Sequence, residues 1–415
     1  MLVPPDSDMN ISSLALAVAV CVRLAAQPAG ALLDQVRARM SDNLARLPNY
    51  TCLETIERIQ QGAMLDRMRL EVGLVGGQEL FSWPGEERFD DRRIEQIVPG
   101  GTIATGSFGL HAKIVFQSDR PTFRYAGEQK IDEHRTLRWD FVVGRQAGGM
   151  RIGRRDRSAM VGTHGSFWVD PETLNVTRLN VEADNIPRDL ELLSVSDTVL
   201  YTPVKIGQGM FVLPQEAELH MRDQFDSINR VRFSSCREYL GESRVLDTDR
   251  PQMNFATAAP PKLVELPPGA TLDLVLDTPV RFDTSAVGDP LTFRLRRPLK
   301  HRGEILFDKN AVVHGRLTYL ERHDADVAGF AVGIQLSDIE APGRRAVLNA
   351  ALTQNFIAGV PPQRTQIIER ELERVKSLAR AAGSVFFQPG TSEVLRRNAA
   401  LEWRTVAGNR IIDQQ

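Results

Sequence analysis

Between Arg67 and Val75 the chain alternates apolar and polar residues one by one. Met68, Leu70, Val72 and Leu74 fall on one phase, and Arg67, Arg69 and Glu71 on the other. A period of two fits a pleated strand and no helix, and a strand with one polar side is half-buried and antiparallel. Gly76–Gly77 supplies the positive-φ turn, so Glu79–Trp83 is expected to return as the hairpin partner.

The same signal recurs along the first 246 residues. Tyr50–Ile59, Thr122–Gln129, Arg135–Val143, Leu192–Val204, Met210–Met221, Asn229–Tyr239 and Glu242–Leu246 all read as strands. Gly165–Ala183 is the clearest hairpin, with Asp170-Pro171-Glu172-Thr173 as its turn. Helices are few. Leu32, Leu33, Val36, Met40, Leu44 and Leu47 recur at three- and four-residue spacing over Ala31–Leu47, which Pro48 closes. A short helix is expected at Leu110–Phe116.

Prolines 251, 260, 261, 267 and 268 mark 247–265 as an extended linker. Beyond it alternation resumes at Leu272, Leu274 and Leu276, with short strands to about Thr405 and turns at Gly288–Asp289 and Lys309–Asn310. Within that part, Thr365–Ala381 carries Ile368, Leu372, Val375 and Leu378 at helical spacing among charged residues. A chain of 415 residues exceeds what one core supports. The expected fold is mainly β with a few helices, of the α+β class. An antiparallel curved sheet or half-barrel (27–246) precedes the linker and a small β-barrel (266–407) with a helical insertion (365–381). Residues 408–415 form a tail.

Residues 1–26 read as a signal peptide. Ile11–Val22 is apolar but too short to span a bilayer, and Ala25 and Ala26 supply the small residues of a cleavage site before Gln27. Val20 stands before Cys21 where a lipoprotein signal carries a small residue. The mature chain is expected to be exported, periplasmic or secreted, with no transmembrane span. It would retain two cysteines, Cys52 and Cys236, which suggest a disulfide in an oxidising compartment; two separate buried thiols are the alternative. The net charge of −2 supplies no field for nucleic acid, which is not an expected partner.

The helix, the long run of antiparallel strands and the hairpin Phe167-Trp168-Val169-Asp170-Pro171-Glu172-Thr173 resemble the periplasmic lipoprotein-carrier superfamily of LolA, LolB and RseB-like proteins. That resemblance covers residues 31–246. It implies a curved sheet around an apolar cavity able to hold acyl chains, for which Trp83, Phe123, Trp139, Phe141 and Trp168 are candidate lining; a closed aromatic core is the alternative. Residues 266–407 resemble the C-terminal barrel of TrbI-like conjugal-transfer proteins in Leu266-Pro267-Pro268-Gly269-Ala270-Thr271, in Val287-Gly288-Asp289 and in Leu306–Leu317. The pore-forming helices of those relatives do not carry over, because Arg364, Glu369, Arg370, Glu371, Glu373, Arg374 and Lys376 charge the insertion.

No phosphate-binding glycine loop, GxSxG, HExxH or CxxC is present in the sequence. The seven histidines show no helical zinc spacing, so no metal and no cofactor are expected, and His314 and His323 read as surface residues. Asp90–Asp91, adjacent on a strand, face opposite sides and cannot flank one bond. Arg151, Arg154, Arg155 and Arg157 are a candidate anion patch or a solvated hairpin. The expectation is a non-enzymatic envelope binding or scaffold protein. Its partner is a lipid, a lipoprotein acyl chain or another envelope protein; the alternative is a hydrolase-type enzyme with a site drawn from distant loops.

Overall fold

The computed structural model describes residues 29–86, 89, 94–98, 106–147, 149–154, 157–239, 261–323, 328–353, 366, 369–370, 373, 383–390, 392 and 394–407. The signal-like residues 1–26, most of the proline-rich stretch 247–265, the strand expected at 242–246 and most of the charged helix expected at 365–381 lie outside the described residues.

Helix α1 (Ala29–Arg46) is followed by strands β1 (Tyr50–Gln60), β2 (Ala63–Val75), β3 (Gln78–Ser82), β4 (Thr122–Ile131), β5 (His134–Val143), β6 (Met150–Arg154), β7 (Arg157–Val169), β8 (Val176–Asp184), β9 (Ser194–Ile206), β10 (Gly209–Arg222) and β11 (Asp226–Glu238). Between β3 and β4, Leu110–Ala112 forms a helical turn that runs into a π-helical turn, Lys113–Gln117.

These strands form one curled antiparallel sheet in the order β3-β2-β1-β11-β10-β9-β8-β7-β5-β4, with β6 paired to β7. Almost every neighbour is joined by a hairpin. The exceptions are β5 and β7, between which β6 intervenes, and the seam at which β11 returns beside β1. The alternation expected for β2 is realised: Met68, Leu70, Val72 and Leu74 are buried against α1, the 94–98 turn and the π-turn. Asp170 shapes the β7–β8 turn, its Oδ1 accepting from the Glu172 and Thr173 amides at 3.0 and 2.7 Å.

The strands that follow are β12 (Lys262–Leu263), β13 (Thr271–Leu276), β14 (Val280–Arg281), β15 (Pro290–Leu295), β16 (Leu299–His301), β17 (Glu304–Phe307), β18 (Val312–His323), β19 (Gly329–Ala341), β20 (Arg344–Val347), β21 (Ala350–Leu352), β22 (Ser384–Pro389), β23 (Val394–Leu395) and β24 (Ala400–Thr405). Strands β14 and β23 pair with each other, as do β16 and β17, and the others form the second sheet. Its path is β12-β20-β19-β18-β15-β13-β24-β21, with β22 also on β19. The Leu352 amide donates to Ser384 Oγ at 2.9 Å, which brings β21 round to β22 and curls the sheet into a small barrel. Leu272, Leu274, Phe293, Val313, Phe386 and Trp403 fill its separate core. The last residues of the expected linker are part of this sheet, since Lys262–Leu263 pairs in parallel with Arg344–Arg345.

The two sheets meet on the edge of β2. Strand β3 covers only Glu71–Val75 and leaves the preceding residues of β2 open. Val287 closes that gap, accepting from the Arg69 amide at 2.7 Å and donating to Arg67 O at 2.9 Å. An open strand edge is a row of unpaired donors and acceptors, so this cap removes a site of unwanted pairing. Arg69 Nη1 then donates to both oxygens of Asp289 at 2.7 Å, and Arg316 lies 5.1 Å over the Trp83 ring. Gly288 makes the approach possible: its φ is +102°, and a Cβ there would lie 2.2 Å from Arg69 O and 2.8 Å from the Trp83 ring. Gly288→Ala is therefore expected to part the two sheets or to destabilise the chain by roughly 1–3 kcal/mol. Hydrogen exchange at Arg67–Arg69, protected in the parent and exposed in the variant, checks this; unchanged protection contradicts it.

Candidate functional site

Two arrangements of polar side chains stand out in the first sheet, one on each face. The first is an open groove of about 1120 Å³ on the face away from α1. It crosses β2, β1, β11, β10, β9, β8 and the β4–β5 and β7–β8 turns, and Asp283 and Thr284 of the turn after β14 close one side. Its floor is built by the outward phase of each strand: Thr55 and Glu57, Arg230 and Arg232, Glu216 and Glu218, Thr198 and Leu200, then Arg178. Threonines and Leu200 give it a mixed surface between the charges.

Nearly every groove arginine already has a carboxylate. Arg67 pairs with Glu57 at 2.6 Å, Arg69 with Asp289 at 2.7 Å, Arg230 with Glu218 at 3.1 Å, Arg232 with Glu216 at 3.2 Å and Arg135 with Glu128 at 2.5 Å. Arg178 differs: among the described residues it has no acidic partner, and its Nε is buried with no hydrogen bond. Its guanidinium lies 5.4 Å over the Trp168 ring, and Arg138 lies at the same distance from that ring. Arg138 and Arg178 are the cross-strand neighbours of Trp168 on either side. Trp168 Nε1 donates to Gln129 Oε1 at 2.9 Å, which fixes the indole whose ring faces Arg178.

The second arrangement is a set of acidic and phenolic groups inside the core. Glu54 of β1, Glu79 next to β2, and Asp197 and Tyr201 of β9 all point inward, with Tyr50 and His111 beside them. Glu79 holds the 106–110 segment: its oxygens accept from the amides of Gly106 at 3.0 Å, Gly109 at 2.8 Å and Leu110 at 3.1 Å. Asp197 Oδ2 accepts from Ser107 Oγ at 2.7 Å and lies 3.0 Å from His111 Nε2. Burial raises the Glu54 carboxyl to about 8, and the neighbouring Glu79 and Asp197 push in the same direction. Burial also raises Glu79, against three backbone hydrogen bonds that favour its ionised form. Burial raises the phenols of Tyr50 and Tyr201 as well.

Ser107, His111 and Asp197 are residue types used in nucleophilic catalysis, but serine and histidine bind the same carboxylate oxygen. The imidazole is thus not placed between serine and carboxylate, as a base must be to activate the hydroxyl. All three are also buried. The group fixes a loop.

The five aromatic candidates separate. Trp139 and Phe141 are 1% and 2% exposed. Trp139 stacks on Phe167 at 5.6 Å, and Phe123 and Phe116 meet Phe167 edge-on at 6.0 and 5.1 Å. Trp168 is on the opposite face behind Arg178, and Trp83 sits under Arg316 where the sheets meet. Of the arginine run, Arg151 donates to Ser158 Oγ at 3.3 Å and Arg157 to Asp189 O at 2.5 Å. The Arg154 side chain and Arg155 lie outside the described residues. Cys52 and Cys236 form a disulfide, with Cα atoms 4.1 Å apart. It joins β1 to β11 at a register shift in the seam between them.

His314, Asp338 and Glu340 are a group of metal-ligand types among the described residues. Asp338 already receives Arg345 at 3.1 Å and lies 2.8 Å from His314 Nδ1, so a guanidinium stands where a cation would have to bind. Among the described residues no helix is long and apolar enough to cross a membrane.

No protein-family model matches the chain, and no curated protein matches it. Solved structures similar to it include proteins of the DUF1329 family and the LolA superfamily. A DUF1329 family protein from Desulfovibrio piger is 12% identical, with a TM-score of 0.32 over 52% of this chain and 96% of its own. A LolA superfamily protein from Nitrosomonas europaea is 13% identical, with a TM-score of 0.29 over 52% and 95%. A domain named for outer membrane lipoprotein sorting, from Vibrio parahaemolyticus, is 10% identical, with a TM-score of 0.31 over 51% and 95%. No TrbI-like protein is among these three.

Proposed function

We propose that this is a non-enzymatic binding protein of the bacterial envelope, exported to the periplasm or beyond. Its first sheet holds an amphipathic, lipid-like ligand with an anionic end in the open groove. The second sheet serves as a scaffold, folded as its own unit from Lys262 onward. The observation that carries this reading is Arg178, a guanidinium held over the Trp168 indole at 5.4 Å within a large groove and, among the described residues, without a carboxylate partner, whereas the arginines around it are neutralised. A pre-oriented, unpaired guanidinium is suited to a carboxylate or phosphate oxygen. The threonines and Leu200 beside it suit a chain of mixed polarity. The opposite, helix-covered face is a poorer host, because Trp139, Phe141 and Phe167 already pack against one another there.

Native mass spectrometry of the mature chain, purified from the periplasm of a Gram-negative host, should show a bound anionic lipid. Arg178→Gln should weaken its retention about 10- to 100-fold, the worth of one charge-assisted hydrogen bond. Thr198→Trp, which fills the groove floor, should abolish retention with the fold intact. A chain that carries no lipid and takes none up from micelles of a lyso-phospholipid would refute the reading. Co-purification of another envelope protein in the groove instead would turn it from lipid to protein docking.

A further inference from the structure

The small barrel carries a second site of different chemistry. Arg294, Arg296, Arg297, Lys309 and Arg397 converge on a pocket of about 380 Å³ between the end of β13, the end of β15 and two turns. Among its lining residues Asp277 is the single carboxylate. It organises the pocket: its Oδ2 accepts from Arg294 Nε at 2.5 Å and its Oδ1 from Arg397 Nε and Nη2 at 2.9 and 2.7 Å. These bonds hold the Asp277 carboxyl below its ordinary value, so it stays ionised and keeps both guanidiniums in place. Asp273 stands behind and holds Arg296 at 3.4 Å and Arg297 at 3.3 Å. Lys309 has no acidic partner among the described residues.

Five cations therefore face two carboxylates, an excess of three positive charges in a chain whose net charge is −2. The two aspartates restrain the guanidiniums without neutralising them, so a positive field, screened by water at these half-exposed side chains, is left to favour an anion. The turns that close the pocket are held by Asn310 and Asn398 in the left-handed region, at φ 71° and 68°. Their carboxamides line it and add uncharged donors. Concavity and small volume suit a compact oxyanion better than a flat polymer.

We infer that this barrel pocket binds a phosphorylated group carrying at least two negative charges. Guanidinium forks and an ammonium on separate segments match the several oxygens of a phosphate monoester or diphosphate. The site is independent of the groove and does not rest on the reading given to it. The same chemistry is offered by a soluble phosphorylated molecule and by a phosphomonoester lipid headgroup.

Calorimetry with inorganic pyrophosphate, on the full mature chain at low salt, tests the inference. Vesicle sedimentation with phosphatidylcholine, with and without phosphatidic acid, identifies the source. The variants are Lys309→Glu and Arg297→Glu, singly and together. Both side chains are outside the barrel core, and an unchanged melting temperature certifies the fold. Saturable pyrophosphate binding that falls about tenfold in each single variant, and further in the double variant, is the expected result. Binding of pyrophosphate without vesicle retention identifies a soluble ligand; retention that requires phosphatidic acid identifies a headgroup. No binding to either probe would overturn the inference, as would binding that both variants leave unchanged. Arg178→Gln should have no effect on pyrophosphate binding.

Discussion

Reduction of the Cys52–Cys236 bridge is expected to lower the stability of the protein by up to about 5 kcal/mol. The bridge closes a loop of 184 residues, and the loop-closure entropy that it removes from the unfolded chain has that magnitude. Its position adds a mechanical reason. Strands β3, β2 and β1 join the rest of the sheet through the β1–β11 ladder, the one neighbour pair in the first sheet whose strands are distant in sequence. The disulfide lies in that seam, beside Ser235, whose φ is +51°. Urea unfolding of the Cys52→Ala/Cys236→Ala variant should show a midpoint shifted well down and a steeper slope, because the unfolded chain without the bridge is more expanded. Hydrogen exchange should accelerate first along Tyr50–Gln60 and Asp226–Glu238. Equal midpoints for oxidised and cysteine-free protein would remove the bridge from the stability of the fold.

Replacing Glu54 by Gln should stabilise the protein at neutral and alkaline pH. In the unfolded chain the carboxyl titrates near 4.5, and in the folded core it titrates at about 8. Below pH 4.5 it is protonated in both states and costs nothing. Between pH 4.5 and about 8 the unfolded chain releases a proton that the folded chain retains, so stability falls as pH rises. Above about 8 both states are ionised and the loss is complete. The whole interval corresponds to roughly 5 kcal/mol. Part of the rise comes from the charges of Glu79 and Asp197, so the gain from one substitution is expected at roughly 2–4 kcal/mol at pH 8. Urea unfolding at pH 5, 7 and 9 should show the parent losing stability while Glu54→Gln stays flatter. Parallel profiles for parent and variant would show that Glu54 is not the group that titrates. The consequence for the molecule is local: Glu79 and Asp197 hold the 106–111 segment, and ionisation of their neighbour loads negative charge beneath it.

Much of this architecture can be read along the chain. Met68, Leu70, Val72 and Leu74, and again Leu137, Trp139, Phe141 and Val143, are on the buried phase that their alternation requires. The Asp170-Pro171-Glu172-Thr173 turn follows from side-chain chemistry within four residues. The buried carboxylates also leave a trace in the sequence. Glu54 shares a phase with Cys52 and Ile56, and Asp197 shares one with Val195, Val199 and Tyr201, so each is a charge on a side that should be apolar. A period-two pattern tests single residues as readily as whole strands, and it marks both positions as exceptions.

Most local elements, the inward phase of β2, β5 and β13 and the Asp170 turn are legible along the chain, because period, turn chemistry and residue type are properties of a few consecutive residues; the two cysteines are legible there as a candidate pair. Tertiary structure alone decided which distant segments meet. It set β11 beside β1, docked Val287-Gly288-Asp289 on the open edge of β2, gathered Glu54, Glu79 and Asp197 around one loop, and left Arg178, among the described residues, without the carboxylate that its neighbours have. Those outcomes depend on long-range pairing and sheet curvature. They are fixed by packing the whole chain at once, since an alternating strand will accept many partners and only the shared core selects among them.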